Sequence, residues 1–102
     1  MRNNTKAPLT VETMACCKRV YYWGTVQGVG FRVTTKRIAD RWAVTGYVRN
    51  LPDGQVEVLV QGEADEVERF LGAVAERMGS YIQGHKVEDT AEPTYSSFEV
   101  RI

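Results

Sequence analysis

The sequence predicts an α+β fold in which two helices pack on one face of a largely antiparallel sheet. Several segments alternate between apolar and polar residues, two others carry apolar residues at helical spacing, and turn-forming residues separate them. The chain has 102 residues, which is enough for one hydrophobic core but not for a second domain. We therefore expect a single two-layer domain.

Composition and charge exclude several functional classes. Thirteen Lys and Arg residues balance thirteen Asp and Glu residues, so net charge does not favour binding to nucleic acid or to an acidic membrane surface. No apolar stretch approaches the roughly 20 residues that span a bilayer. The N-terminal segment also lacks the apolar block of a secretory signal. We expect a cytoplasmic protein.

The N-terminal segment differs in character from the rest of the chain. Residues 1–15 are polar and aperiodic and contain Pro8, so we expect a flexible extension followed by a domain at residues 16–102. Met14 is an alternative translational start.

The two cysteines and the single histidine do not indicate a metal site or a disulfide within the chain. Cys16 and Cys17 are adjacent, and adjacent cysteines rarely satisfy disulfide geometry. Together with His85 alone they form no tetrahedral zinc set. We expect all three to be ordinary strand residues, with Cys16 and Cys17 at a strand edge. An intermolecular disulfide is the alternative.

The first strand and the first helix flank a glycine-containing turn. Alternation predicts a strand over Lys18–Val26. Its residues on one face are Val20, Tyr22, Gly24 and Val26. Apolar residues then recur at helical spacing from Phe31 to Trp42, which predicts a helix.

A hairpin follows the first helix. Val44–Asn50 alternates as a second strand, and Leu51-Pro-Asp-Gly54 is a strong turn signal. In the third strand, Val56, Val58 and Val60 share one face, and Glu57, Leu59 and Gln61 are expected on the open face.

The second helix has the most regular pattern in the chain. Its apolar stripe comprises Val67, Phe70, Leu71, Val74, Ala75 and Met78. Gly79 is suited to end it. Val87 marks a short fourth strand, and Phe98, Val100 and Ile102 alternate as a short last strand. The order β-α-β-β-α-β plus a terminal strand predicts the ferredoxin-like arrangement, a two-layer sandwich.

The turn between the first strand and the first helix has the features of an anion-binding site. Gly28 and Gly30 lie in this turn, and Arg32 follows in the first helical turn. Backbone N–H groups, a helix N-terminus and a fixed cation together suit a phosphate-like group. A cation is also unfavourable in the first turn of a helix, which favours a bound anion nearby.

Asn50 is expected to lie at the same edge of the sheet. Strands joined by a crossover helix run parallel, so the carboxyl ends of the first two strands meet there. Asn50 is also a common turn-forming residue type, so each polar residue has a purely structural alternative. Because Arg32, the glycine-containing turn and Asn50 are expected at the same edge of the sheet, a functional site there is favoured.

The familiar phosphate chemistries do not fit this turn. The Walker A motif requires Gly-Lys where Val29 and Gly30 stand, and a dinucleotide fingerprint requires glycine at Val33. Cys17 lies on the first strand, upstream of the turn, and is not placed to be a covalent nucleophile. The site therefore has a cation, an amide cradle and a carboxamide but no obvious nucleophile or strong base.

Two motifs resemble those of the acylphosphatases. Gly24-Thr-Val-Gln-Gly-Val-Gly-Phe-Arg32 resembles the family signature Val-Gln-Gly-Val-x-Phe-Arg. Thr45-Gly-Tyr-Val-Arg-Asn50 is similar to the second motif, Gly-x-Val-x-Asn. The resemblance covers about residues 17–102 and implies a ferredoxin-like fold. It also implies hydrolysis of acyl phosphates to a carboxylate and inorganic phosphate, without a metal or an organic cofactor.

The resemblance also implies roles for particular residues. Arg32 would bind the phosphate together with the loop amides, and Asn50 would hold and orient the attacking water. The loop comprises Gln27, Gly28, Val29, Gly30 and Phe31. The substrate's own phosphate would help deprotonate the water. The expected partners are small-molecule acyl phosphates and inorganic phosphate, with no nucleic acid or membrane, and the protein is expected to be a monomer.

Two other functions remain open from the sequence. The first is a phosphate- or acyl-phosphate-binding module without turnover, like the related domain of hydrogenase-maturation proteins. The second is an RNA-recognition module, which shares the element order but needs exposed aromatic residues on the third strand. Tyr21 and Trp23 on the first strand are the residues that keep the RNA hypothesis open.

Overall fold

The computed structural model describes residues 16–102, and within them lie five strands and two helices. The strands are β1 (Cys16–Gly24), β2 (Thr45–Asn50), β3 (Val56–Gly62), β4 (Ile82–Asp89) and β5 (Phe98–Val100). The helices are α1 (Phe31–Ala39) and α2 (Ala64–Met78), and a 3₁₀ turn at Gly79–Tyr81 follows α2. The extension expected at residues 1–15 lies outside the described residues, so it remains a prediction.

The five strands form one sheet in the order β4-β1-β3-β2-β5. β1 is antiparallel to both β3 and β4, and β2 is antiparallel to β3. β5 is parallel to β2. β1 and β2 therefore run in the same direction, as expected for strands joined through a helix. The predicted ferredoxin-like α+β fold, with a largely antiparallel sheet and a short fifth strand, is confirmed.

The main core lies between the two helices and one face of the sheet. Its buried strand residues include Val20, Val48, Val56, Val58 and Val60, and Val26 joins them from the loop after β1. Its buried helix residues include Phe31, Ile38, Val67, Phe70, Val74 and Met78. The face of β3 predicted to be apolar is therefore the one that packs against the helices, which fixes the register of the sheet.

The opposite face of β3 is covered, so the expectation that Glu57 and Leu59 are open is wrong. Leu59 is 0% exposed and packs with Cys17 and Tyr47, and Tyr95 lies against this cluster. The chain between β4 and β5 brings Tyr95 across this face. An RNA-recognition surface would need exposed aromatic residues on this strand, and β3 carries none. Trp23 of β1, one of the two residues that keep this alternative open, is 40% exposed.

Glu57 is buried because two arginines pair with its carboxylate. The residue is 3% exposed. Its Oε2 lies 2.9 Å from Nε of Arg19, and its Oε1 accepts a hydrogen bond from Nε of Arg49. Arg19 also binds Glu92 through Nη2 at 2.6 Å, which ties the segment after β4 to β1. A buried carboxylate is tolerated when its charge is paired in this way.

Several element boundaries differ from those expected. β1 begins and ends two residues earlier than predicted, and α1 ends at Ala39, after which the chain turns through Trp42. β4 is a full strand that pairs with β1 along its length. It carries no clear sequence pattern because an edge strand leaves most of its side chains exposed.

The residues expected to be ordinary strand residues are found in strands. Cys16 and Cys17 open β1, and both are free thiols. Because β1 is flanked by β3 and β4, these cysteines lie on an internal strand of the sheet, although at its end. His85 lies on β4 and is exposed. Ile102, expected in the last strand, lies beyond β5 and is exposed.

Candidate active site

Two glycines in left-handed conformations shape the loop between β1 and α1. Gly28 has φ 81°, and Gly30, which precedes the first residue of α1, has φ 77° and ψ 20°. Side-chain-bearing residues rarely adopt such values. A Cβ at either position would meet no atom of the described residues within 4 Å. The space next to both glycines is therefore open to a ligand.

The two ends of the loop are fixed in the core. Val26 is 0% exposed and Phe31 is 2% exposed. The ring of Phe31 packs on Tyr22 with centroids 5.2 Å apart. The N–H of Thr25 donates to the carbonyl oxygen of Tyr81 at 2.9 Å. The loop thus departs from and returns to rigid points, which favours a preformed site.

Gln27 ties the loop to the turn between β2 and β3. Its Nε2 donates to the carbonyl oxygens of Leu51 and Gln55, each at 2.8 Å. Leu51 follows Asn50 directly, so these bonds fix the loop relative to Asn50. Both N–H groups of the amide are used in this way. This positioning role of the Gln27 side chain was missed from the sequence, which offers no signal for it.

Arg32 and Asn50 share a hollow beside the loop. The hollow has a volume of about 120 Å³ and is lined by Val26, Gly28, Gly30, Phe31, Arg32, Val33 and Asn50. The structure therefore brings both candidate catalytic residues together with Gly28, Gly30 and Phe31. Gln27 and Val29 do not line this hollow, and Val29 instead packs against the main core.

The guanidinium group of Arg32 is hydrogen-bonded to the main chain just beyond β5. Its Nη1 donates to the carbonyl oxygen of Arg101 at 2.9 Å. The N–H of Arg101 in turn donates to the carbonyl oxygen of Val48 at 2.9 Å. A guanidinium has five N–H donors, so this bond leaves donors for a ligand. Sequence reasoning missed Arg101, because its contact with Arg32 is made by the main chain.

The charges around the hollow favour an anion. Within residues 16–102, no carboxylate forms an ion pair with Arg32. The first turn of α1 contains no acidic residue, and the N-terminus of a helix carries a partial positive charge and free N–H groups. The hollow therefore combines a cation and amide donors with the carboxamide of Asn50.

The described residues contain neither a group of metal ligands nor a helix that could span a membrane. Across residues 16–102, no three side chains of His, Cys, Asp or Glu are grouped as metal ligands would be. Neither helix in this part of the chain is both long and apolar enough to cross a bilayer.

Comparisons with known proteins agree on the family. The acylphosphatase family model matches residues 18–100. The acylphosphatase of Archaeoglobus fulgidus is 42% identical over 82 residues, which cover 79% of this chain and 92% of that protein. The structure of an acylphosphatase from Coxiella burnetii matches with a TM-score of 0.75 and 30% identity, over 86% of this chain and 94% of that one.

A longer protein contains a similar domain. Full-length HypF, in its phosphate- and nucleotide-bound form, matches with a TM-score of 0.77 and 25% identity. The match covers 87% of this chain and 12% of HypF. The family match, the identities and the fold together place the chain in the acylphosphatase family. It is a hydrolase acting on acid anhydrides, and the family acts on small-molecule acyl phosphates.

Proposed function

We propose that the chain hydrolyses acyl phosphates by direct attack of water on phosphorus. Arg32 and the backbone amides of residues 27–31 hold the phosphate, and Asn50 holds the water. Membership of the family supports the reaction. The observation that carries the assignment of residues is the single hollow lined by Arg32, Asn50 and two left-handed glycines.

Phosphate binding follows from the donors around the hollow. The planar guanidinium of Arg32 can donate two parallel hydrogen bonds to phosphate oxygens, which are strong because both partners are charged. The loop amides and the N-terminus of α1 add uncharged donors. The carbonyl oxygen of Arg101 fixes one edge of the guanidinium in advance.

The attacking water is assigned to Asn50. The side-chain oxygen of Asn50 accepts a hydrogen bond from water, and its NH₂ group can donate to a phosphate oxygen. Attack forms a new P–O bond and breaks the bond between phosphorus and the acyl oxygen, so a carboxylate leaves. A phosphate oxygen of the substrate takes the proton of the water. Because a carboxylate is a good leaving group, positioning and charge stabilisation supply most of the catalysis.

The same chemistry implies no metal ion or organic cofactor. The activated anhydride does not need a stronger nucleophile than positioned water, and Arg32 supplies the charge that stabilises the phosphate. We accordingly propose that extensive dialysis against a chelator leaves turnover unchanged. Loss of turnover restored by added divalent metal would contradict this part of the proposal. We also propose that the active form is a monomer, which sedimentation during turnover would test.

The proposal is tested by benzoyl phosphate hydrolysis with three variants. Arg32→Ala is expected to abolish both turnover and phosphate binding, and Asn50→Ala is expected to lower turnover strongly. Arg37→Ala is a control on the same helix, because Arg37 is exposed and does not line the hollow. Full activity in both Arg32→Ala and Asn50→Ala would refute the assignment.

The match to HypF supports one competing function. In that protein the similar domain is a small part of a longer chain, so a binding role without turnover is the alternative. Tight binding of inorganic phosphate together with no hydrolysis of benzoyl, acetyl or carbamoyl phosphate would favour it. Activity across all three would instead support an enzyme that recognises mainly the phosphate.

A further inference from the structure

The side chain of Arg101 packs against two tyrosines on the sheet face opposite the helices. Its guanidinium carbon lies 4.0 Å from the ring centroid of Tyr47 and 5.4 Å from that of Tyr95. The two rings also contact each other edge to face, with centroids 5.8 Å apart. We call Tyr47, Tyr95 and Arg101 the Arg101 clamp. Contacts of a cation with aromatic faces are attractive, and more so where water is excluded.

The two rings of the clamp are themselves held in place. Tyr47 is 4% exposed and lies within β2. The N–H of Tyr95 donates to Oε1 of Gln61 at 2.9 Å, and Nε2 of Gln61 donates to the carbonyl oxygen of Pro93 at 2.8 Å. The rings of Tyr47 and Tyr95 therefore present a fixed surface to the side chain of Arg101.

The main chain of Arg101 lies just beyond the end of β5. Its N–H donates to Val48, but β5 ends at Val100 and Ile102 is fully exposed. Residues outside regular secondary structure are less restrained unless specific contacts hold them. The stacked side chain adds a second contact to the hydrogen bond with Val48, and the carbonyl oxygen of Arg101 accepts the hydrogen bond from Arg32.

We propose that Arg101 is a positioning residue for phosphate binding. By stacking on Tyr47 and Tyr95 it fixes its own carbonyl oxygen, which orients the guanidinium of Arg32 towards the hollow. An arginine side chain held in one conformation before binding loses less conformational freedom when the ligand arrives. This inference rests on the proposed role of Arg32 in holding the phosphate.

The first test measures the affinity for inorganic phosphate by titration calorimetry. Arg101→Ala is expected to weaken binding about tenfold, the scale of one desolvated cation–aromatic contact. Arg101→Lys should recover part of this loss because it keeps a cation over the rings. Ile102→Ala, at the exposed neighbouring position, should bind as the wild type does. Unchanged affinity in Arg101→Ala, with only a lower Tm, would overturn the proposal.

A second test separates positioning from the simple loss of a positive charge. In an Arg32→Lys background, the planar guanidinium that the carbonyl oxygen of Arg101 would orient is absent. Arg101→Ala should therefore change phosphate affinity less than about twofold in that background. The same fold-change in both backgrounds would show that Arg101 acts independently of Arg32, which would overturn the proposal. If Arg101→Ala does not fold, Arg101→Met, which keeps an apolar stem against Tyr47, takes its place in both measurements.

The Arg32→Ala variant distinguishes failure of this inference from failure of the proposed function. If Arg32→Ala loses phosphate binding while Arg101→Ala keeps it, the positioning role fails and the proposed function stands. If Arg32→Ala binds phosphate as the wild type does, the proposed role of Arg32 fails and the inference fails with it.

Discussion

The side-chain amide of Gln27 donates a hydrogen bond to the carbonyl oxygen of Leu51 at 2.8 Å. This bond joins the loop that would hold the phosphate to the turn that begins directly after Asn50. A second bond from the same nitrogen, to the carbonyl oxygen of Gln55, is also 2.8 Å long. The relative position of the two halves of the candidate site therefore depends on one partly buried side-chain amide.

Replacing Gln27 is expected to disturb this alignment. Gln27→Ala removes both donors, and misplacement of reacting groups by about 1 Å can cost on the order of a hundredfold in rate. We therefore expect kcat for benzoyl phosphate to fall at least about tenfold, while the affinity for phosphate falls less. Gln55→Ala is the matched control, because the Gln55 side chain binds Asp53 in the same turn. Equal effects of the two substitutions on kcat would contradict a role of Gln27 in aligning the loop with Asn50.

Asn50→Ala is expected to separate turnover from binding. By analogy with the loss of one preorganised oxyanion-hole donor, we expect the substitution to cost about 10²–10³ in kcat. Phosphate affinity should change far less, because Arg32 and the loop amides remain. Steady-state kinetics with benzoyl phosphate, with inorganic phosphate as the inhibitor, measures both quantities. A loss of affinity as large as the loss of kcat would place Asn50 on the phosphate rather than on the water.

Gly30→Ala is expected to strain the loop. A left-handed conformation costs a residue with a side chain about 1–2 kcal/mol, so urea denaturation should show a lower free energy of unfolding. Phosphate affinity should fall as well. Gly72→Ala is the control, since Gly72 lies within α2 with φ outside the left-handed range, and alanine there should stabilise by about 1 kcal/mol. Stabilisation by Gly30→Ala would contradict the assigned loop geometry.

Stability at alkaline pH should depend on Tyr22. Burial raises the pKa of Tyr22 above its ordinary value of 10.0. The unfolded chain therefore loses this proton first, and the stabilisation is fully present below pH 10.0 and is lost as pH rises above it. Tyr22→Phe should lose less stability across that range in urea denaturation, whereas Tyr81→Phe, at an exposed position, should behave as the wild type does. An identical pH dependence of the free energy of unfolding in the wild type and Tyr22→Phe would contradict this role of Tyr22.

The parts of the structure predicted from the sequence are those that periodicity and crossover topology determine. Alternation in β3 and the apolar stripe of α2 determine which faces are buried. The connection through α1 makes β1 and β2 parallel, which is why Arg32 and Asn50 could be expected at one edge before the structure was known. Their roles as ligands of phosphate and water remain proposals.

The parts that could not be predicted depend on irregular chain and on contacts between distant residues. The segment between β4 and β5 has no periodic pattern, so its course over Leu59 and Glu57 was not foreseen. The burial of Glu57 depends on arginines from two different strands, Arg19 and Arg49. The bonds of Gln27 and Arg101 in the site involve main-chain carbonyl groups, which any residue carries.

The most direct test of the central claim is the fate of isotope-labelled water during hydrolysis of benzoyl phosphate. Attack on phosphorus breaks the bond between phosphorus and the acyl oxygen, so the heavy oxygen of the water should appear in inorganic phosphate and the benzoate should remain unlabelled. Mass spectrometry of both products after complete hydrolysis makes the measurement. Heavy oxygen in the benzoate would show attack on the carbonyl carbon and would contradict a water positioned by Asn50 against a phosphate held by Arg32.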